Sequence, residues 1–241
     1  MTASVVAAAT ALFGRTPAVW GRYFTKPTTS GTVEYRHAQE NPVLAQYAIR
    51  LLPVARQTKD TAGSTAQGTS DAQGNVDDLF DSFGADYLAS LGTEFLMFLD
   101  VEGTPSSGSP SLGLDYWTGW AQTLGEHSRA ASGGRVEVLP CAYARQGDNT
   151  TWDVLTQAAG QGISCYGAWV ARSYSGSCTM ADWDETIVAP SVPLPCDILL
   201  WQYAENCCDG AIDTSQTNPS LDIDTLLLQR LILPPSTTVP S

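Results

Sequence analysis

Two acids, Asp100 and Glu102, close an unbroken apolar run, Phe95-Leu96-Met97-Phe98-Leu99. A run without alternation reads as a strand buried on both faces, as in a parallel sheet. Residues i and i+2 of a strand face the same side, so both carboxylates would enter one space beyond its carboxyl end. Parallel α/β folds place their active sites there. Two close carboxylates raise each other's proton affinity, and one can keep its proton near neutral pH. The pair then offers an acid for a leaving oxygen and an anion for an oxocarbenium-like centre, which is what glycosidic cleavage needs. The plainer reading of the same spacing is two strand-end acids that face water or cap the next segment.

Other chemistries have less behind them. No G-x-S-x-G motif is present, and neither His37 nor His127 is placed to activate a serine or cysteine. No G-x-G-x-x-G follows a strand and no P-loop occurs, so a nucleotide site has no support. The six cysteines (141, 165, 178, 196, 207 and 208) form no C-x₂-C pair and neither histidine is near them, so no metal is expected. An acid pair needs no organic cofactor either. An even, clustered cysteine set points instead to disulfides and an oxidising compartment. Fifteen full pairings are open. A bond between the neighbours Cys207 and Cys208 is strained, so each is expected to find a distant partner or stay free.

The positioning elements alternate. Strands are expected at 18–24, 49–55, 94–102, 136–143, 163–172, 197–203 and 210–213. Helices are expected at 4–13, 76–91, 114–131, 151–159 and 221–231. Residues 58–75, rich in Thr, Ser, Gly and Gln, read as a polar loop, and 103–113 as another. Parallel strands alternating with helices give an α/β chain, and 241 residues suits one (β/α)₈-type barrel of about 250 residues. The barrel is expected over 1–233, with an irregular first strand allowed, followed by a flexible tail at 234–241. Twelve basic against 25 acidic residues leave a net charge of −13, which repels nucleic acids and anionic membrane surfaces. No run of 18 apolar residues exists, so no membrane-spanning helix is expected. The apolar stretch 4–13 lacks preceding basic residues and reads as a helix rather than a signal peptide, which leaves no visible export route.

Several side chains have two readings. Trp117, Trp120, Trp152, Trp169, Trp183 and Trp201 offer flat faces for sugar rings or fill the core. Trp117 and Trp120, at i and i+3 of a helix, read as core. Trp169 and Trp201, near strand ends, stay open to both. Tyr143 and Tyr203 are placed to border a cleft. Arg22 reads as a structural ion pair, and Arg172 either pairs with an acid or binds a carboxylated sugar.

The 95–102 segment resembles the "hydrophobic run then D-x-E" strand of family 25 glycoside hydrolases, the muramidase type of lysozyme, and of related glycoside-hydrolase-like barrels. Other pieces follow in the family's order. Gly21-Arg22-Tyr23-Phe24 resembles a "GRY" strand, and Tyr143 ends a strand as the family's tyrosine does. Ala168-Trp169-Val170-Ala171-Arg172 is similar to its "lWiA-R" strand. Leu200-Trp201-Gln202-Tyr203 matches its "WQY" strand, and Ala211-Ile212-Asp213 its last strand. The resemblance spans roughly 18–215. It implies a barrel that cleaves the β-1,4 bond between N-acetylmuramic acid and N-acetylglucosamine, with peptidoglycan or a related glycan as partner, at an extracytoplasmic location. It assigns Glu102 as general acid and Asp100 as the acid that stabilises charge or orients the N-acetyl group. Asp213, Tyr143, Trp169, Arg172, Trp201, Gln202 and Tyr203 become substrate-binding positions. The chain departs from the family in two places. The family opens with a G-x-D-x-S strand, whereas the first aspartate here is Asp60, and Asp213 is followed by Thr-Ser-Gln rather than Leu-Asn. The alternative is a barrel of the same descent that binds a glycan without cleaving it, or serves as a structural protein.

Overall fold

A computed structural model describes residues 1–26, 34–103, 108–172 and 178–236. Among the described residues seven strands form one sheet in chain order: β1 (Val19–Tyr23), β2 (Arg50–Arg56), β3 (Glu94–Val101), β4 (Glu137–Arg145), β5 (Ala168–Ala171), β6 (Ile198–Asn206) and β7 (Ile212–Thr217). The first six pair in parallel, and β7 returns antiparallel to β6. The sheet curls into a half-barrel, and among the described residues no ladder joins β1 to β7. This corrects the expected closed eight-stranded barrel. The cause is local. Between β6 and β7 the chain reverses within the turn Cys207–Gly210, where Asn206, Cys208, Asp209 and Gly210 all take positive φ. A reversal that short has no room for a crossover helix, so β7 can only come back antiparallel.

The six longer helices are α1 (Ala3–Phe13), α2 (His37–Gln46), α3 (Thr65–Phe83), α4 (Ala85–Leu91), α5 (Leu114–Ala131) and α6 (Asn149–Gly160). They cover the convex face. There Phe95, Met97, Leu99, Val138, Val170 and Trp201 belong to one core with Leu44, Val76, Leu79, Trp117, Trp120 and Leu124. Leu52, Val54, Leu96, Phe98, Leu139 and Leu200 form a second core on the concave face. β3 is therefore buried on both sides, as its unbroken apolar run requires. The expected closing helix at 221–231 is instead two short turns, Ile223–Leu226 and the 3₁₀ turn Leu228–Arg230. They insert Leu227 and Leu231 into the concave core as a floor. Ile232 ties that floor to Leu51 through two backbone hydrogen bonds. Tyr87 Oη donates to the Leu233 carbonyl at 2.6 Å. Of the expected tail, residues 237–241 lie outside the described residues.

Much of the expected loop at 58–75 is the first half of α3, capped by Ser64, whose Oγ accepts from Gln67 N–H. Its polar residues face α5 and find partners there. Tyr116 Oη donates to Asp71 at 2.9 Å, and Trp120 Nε1 donates to Asn75 Oδ1 at 2.9 Å. Asn75 Nδ2 in turn donates to the Phe24 carbonyl at 2.7 Å. The glycines let the helices touch. A Cβ on Gly68 would lie 2.2 Å from the Tyr116 carbonyl oxygen, and one on Gly119 would lie 2.1 Å from that of Thr65. Gly119→Ala is expected to cost about 2–4 kcal/mol of stability, because backbone must move to admit the methyl. Gly160→Ala, with open space around it, is expected to change stability by less than about 1 kcal/mol. Urea unfolding of the two variants measures the contrast.

Candidate active site

Strand period decides what reaches the concave face. On β3 the inward series is Leu96, Phe98, Asp100, and Glu102 continues it one step past the strand. Parallel register sets Arg56 of β2 beside Asp100, and Tyr143 of β4 on its other side. Tyr23 comes from β1, Trp169 from β5, Gln202 from β6, and Asp213 and Ser215 from β7. Leu96, Phe98 and Arg56 apart, these residues line one cavity of about 860 Å³ that runs along the seam between β1 and β7. The gap that replaces barrel closure is thus the cleft itself. The sheet's two halves still approach each other across it, since a Cβ on Gly21 of β1 would touch the Trp169 ring at 3.5 Å.

Asp100 sits deepest, 2% exposed. Its Oδ2 accepts from Tyr23 Oη at 3.2 Å, and its Oδ1 is buried with no hydrogen-bond partner among the described residues. Arg56 serves both acids, with Nε 3.9 Å from Asp100 Oδ2 and Nη2 3.6 Å from Glu102 Oε2. Its guanidinium lies over the Tyr23 ring, 5.4 Å from the centroid. Burial pushes the Asp100 carboxyl up to about 7 and the Glu102 charge adds to this, while Arg56 and the Tyr23 hydrogen bond work against it. Burial also raises the Tyr23 and Tyr143 phenols, so both stay protonated as donors. Glu102 is the more open acid, its side chain 38% exposed. Trp169 forms a wall, with Nε1 donating to Ser215 Oγ at 3.1 Å and its ring edge-on to Tyr143 at 4.9 Å between centroids.

Three expected cleft residues lie elsewhere. Gln202 points inward, so its neighbours Trp201 and Tyr203 point outward into the convex core. Trp201 Nε1 donates to the Arg172 carbonyl at 3.0 Å, and its ring meets Trp183 edge-on. Arg172 itself donates to the Ile187 carbonyl at 2.7 Å and does not line the cavity. Asp213 does line it, and also accepts from Asn206 N–H at 2.8 Å, which holds the β6–β7 turn. Arg22 faces outward in a two-pronged ion pair with buried Glu40, at 2.7 Å for both Nε–Oε2 and Nη2–Oε1. Sequence reading missed Arg56, Tyr23 and Ser215 as site residues. Arg56 had one available signal, its position just past the inward pair Leu52 and Val54. The register that sets it against Asp100 is not visible in one sequence.

Among the described residues no group of three or more His, Cys, Asp or Glu side chains is arranged to hold a metal. One disulfide joins Cys178 to Cys207, a distant partner as expected, and Cys208 is a free thiol. No helix among the described residues is long and apolar enough to cross a membrane.

No family model and no curated protein sequence matches the chain. Two solved structures are similar to it. An uncharacterized B. stearothermophilus protein aligns with a TM-score of 0.69 at 16% identity, over 96% of this chain and 95% of that one. A muramidase from Trichobolus zukalii aligns with a TM-score of 0.48 at 14% identity, over 95% and 93%. What the first of these shares with the chain is the fold. At such identity it carries no residue roles.

Proposed function

We propose that the chain is a glycoside hydrolase that cleaves a β-1,4 bond of peptidoglycan, with Glu102 as general acid and Asp100 as its partner. The observation that carries this reading is the pair itself: a buried carboxyl that holds its proton near neutral pH, beside an accessible one, at the strand ends of a sugar-sized cleft. The sequence likeness to muramidase-type strands supports the same chemistry. Tyr143, Trp169, Gln202 and Asp213 would bind the glycan, the indole by stacking and the others by hydrogen bonds. Trp201, Tyr203 and Arg172 would support the cleft from behind. The Cys178–Cys207 disulfide supports an extracytoplasmic location.

Glycoside cleavage of this kind needs one proton on the acid pair. Burial, and after it the neighbouring Glu102 charge, push the Asp100 carboxyl up to about 7, so Asp100 holds that proton in the resting cleft. Below that pH the pair holds it, and above it the acid is lost. Clearing of a peptidoglycan suspension is therefore expected to fall about tenfold per pH unit above 7. A rate that stays level from pH 6 to pH 9 would count against a catalytic role for the Asp100 proton. The second reading is a glycan-binding barrel without catalysis, and Arg56 favours it by lying within ion-pair reach of both acids. Under that reading the suspension binds the protein but does not clear at any pH.

A further inference from the structure

The β5–β6 region is the least supported part of the fold. β5 has only four residues. The connection to β6, residues 172–197, carries no helix longer than the four-residue turn Glu185–Val188 among its described residues, whereas the crossovers after β3 and β4 carry α5 and α6. Five of the six cysteines lie in 165–208, around this pair of strands. Cys178 and Cys207 follow β5 and β6 and are joined. Cys165 and Cys196 precede the same two strands, at the opposite end. Their sulfurs are 3.6 Å apart. Cys165 is 7% exposed and Cys196 is half-buried.

We propose that Cys165 and Cys196 form a second, reversible disulfide that fastens the leading ends of β5 and β6, as Cys178–Cys207 fastens their trailing ends. The sulfurs need to close by only about 1.5 Å to reach bonding distance. Cys196, the more open of the two, meets the oxidant first. A small-molecule disulfide such as oxidised glutathione supplies the two electron vacancies. The Cys196 thiolate displaces one glutathione thiol to give a mixed disulfide. Cys165 then attacks the Cys196 sulfur and releases the second glutathione. Two S–H bonds become one S–S bond, and both protons leave on the reduced glutathione. Cys141 is fully buried, so a dissolved disulfide does not reach it, whereas the half-buried Cys196 is reached. The contact with Cys165, and after it burial, push the Cys196 thiol up, so the first exchange is slow. The bond would close a loop of 31 residues, most of it irregular, which is where a cross-link restricts the unfolded chain effectively.

The test uses the whole protein, incubated with oxidised glutathione, alkylated with iodoacetamide in denaturant, and digested with trypsin and Glu-C. Cleavage after Arg172, Glu185 and Glu205 puts Cys165, Cys178 and Cys196 on separate peptides. The expected result is a linked pair of peptides 146–172 and 186–205, with only Cys141 and Cys208 alkylated. Cys196→Ser is expected to lower the Tm of the oxidised protein by about 5–10 °C, and this gap should close when both proteins are reduced with dithiothreitol. Four alkylated thiols after oxidation, with Cys178–Cys207 intact, would overturn the proposal. So would a link from Cys165 to Cys141. Neither result bears on the acid pair or on glycan cleavage.

Discussion

Glutamine in place of Glu102 is expected to lower glycan hydrolysis roughly 10²–10⁴-fold, the range a positioned general acid supplies. Glutamine keeps the size of the side chain and its hydrogen-bonding ends, and removes only the proton that the leaving oxygen must receive. Affinity for the glycan is therefore expected to stay within a few-fold of wild type, measured by sedimentation with insoluble peptidoglycan. That split, with kcat lost and binding kept, separates catalysis from damage to the cleft. Glu102 is suited to the test because its side chain is 38% exposed, so the substitution leaves the core untouched. A variant that retains more than about a tenth of wild-type activity would show that another group donates the proton.

Asparagine in place of Asp100 is expected to stabilise the folded chain at pH 8 while it impairs catalysis. The folded carboxyl titrates near 7 against an ordinary value of 3.8. Below pH 3.8 both folded and unfolded chains hold the proton, and the group costs nothing. Between 3.8 and 7 the unfolded chain ionises first, so stability falls as pH rises. Above 7 the folded state carries a buried anion, and the full cost stands. Three units of displacement correspond to at most about 4 kcal/mol. Asparagine cannot ionise, so its Tm relative to wild type is expected to rise by roughly 5–15 °C between pH 4 and pH 8. Thermal unfolding followed by circular dichroism at both pH values gives the comparison. A difference that does not change with pH would mean that Asp100 is not held neutral by its surroundings. A buried acid that weakens the fold is the pattern of a group kept for chemistry rather than for support.

Strand positions were legible because burial on both faces leaves an apolar run with no alternation. The segment from Phe95 to Glu102 announced both the strand and its acids. Helix α3 was not legible, because what packs it is the matching of Asp71 and Asn75 to Tyr116 and Trp120, and of Gly68 to a backbone carbonyl. To a reader of composition, such residues look like a loop. The half-barrel was missed for a related reason. The turn at 207–210 carries one hairpin signal, Asp209-Gly210, but Asn206 and Cys208 also take positive φ, and neither announces that in sequence. At the site, motif likeness placed Trp201 and Tyr203 with Gln202, although strand period puts them on opposite faces. Arg56 and Tyr23 depended on register, which joins residues 44 and 77 positions from Asp100.

The most direct test of the account is digestion of purified peptidoglycan by the wild-type chain at pH 6, followed by borohydride reduction and mass spectrometry of the released fragments. The account predicts fragments that end in reduced muramic acid, produced by wild type and lost in Glu102→Gln. Intact glycan after prolonged digestion of several wall types by a folded wild-type protein would contradict it, and would leave the cleft as a binding site.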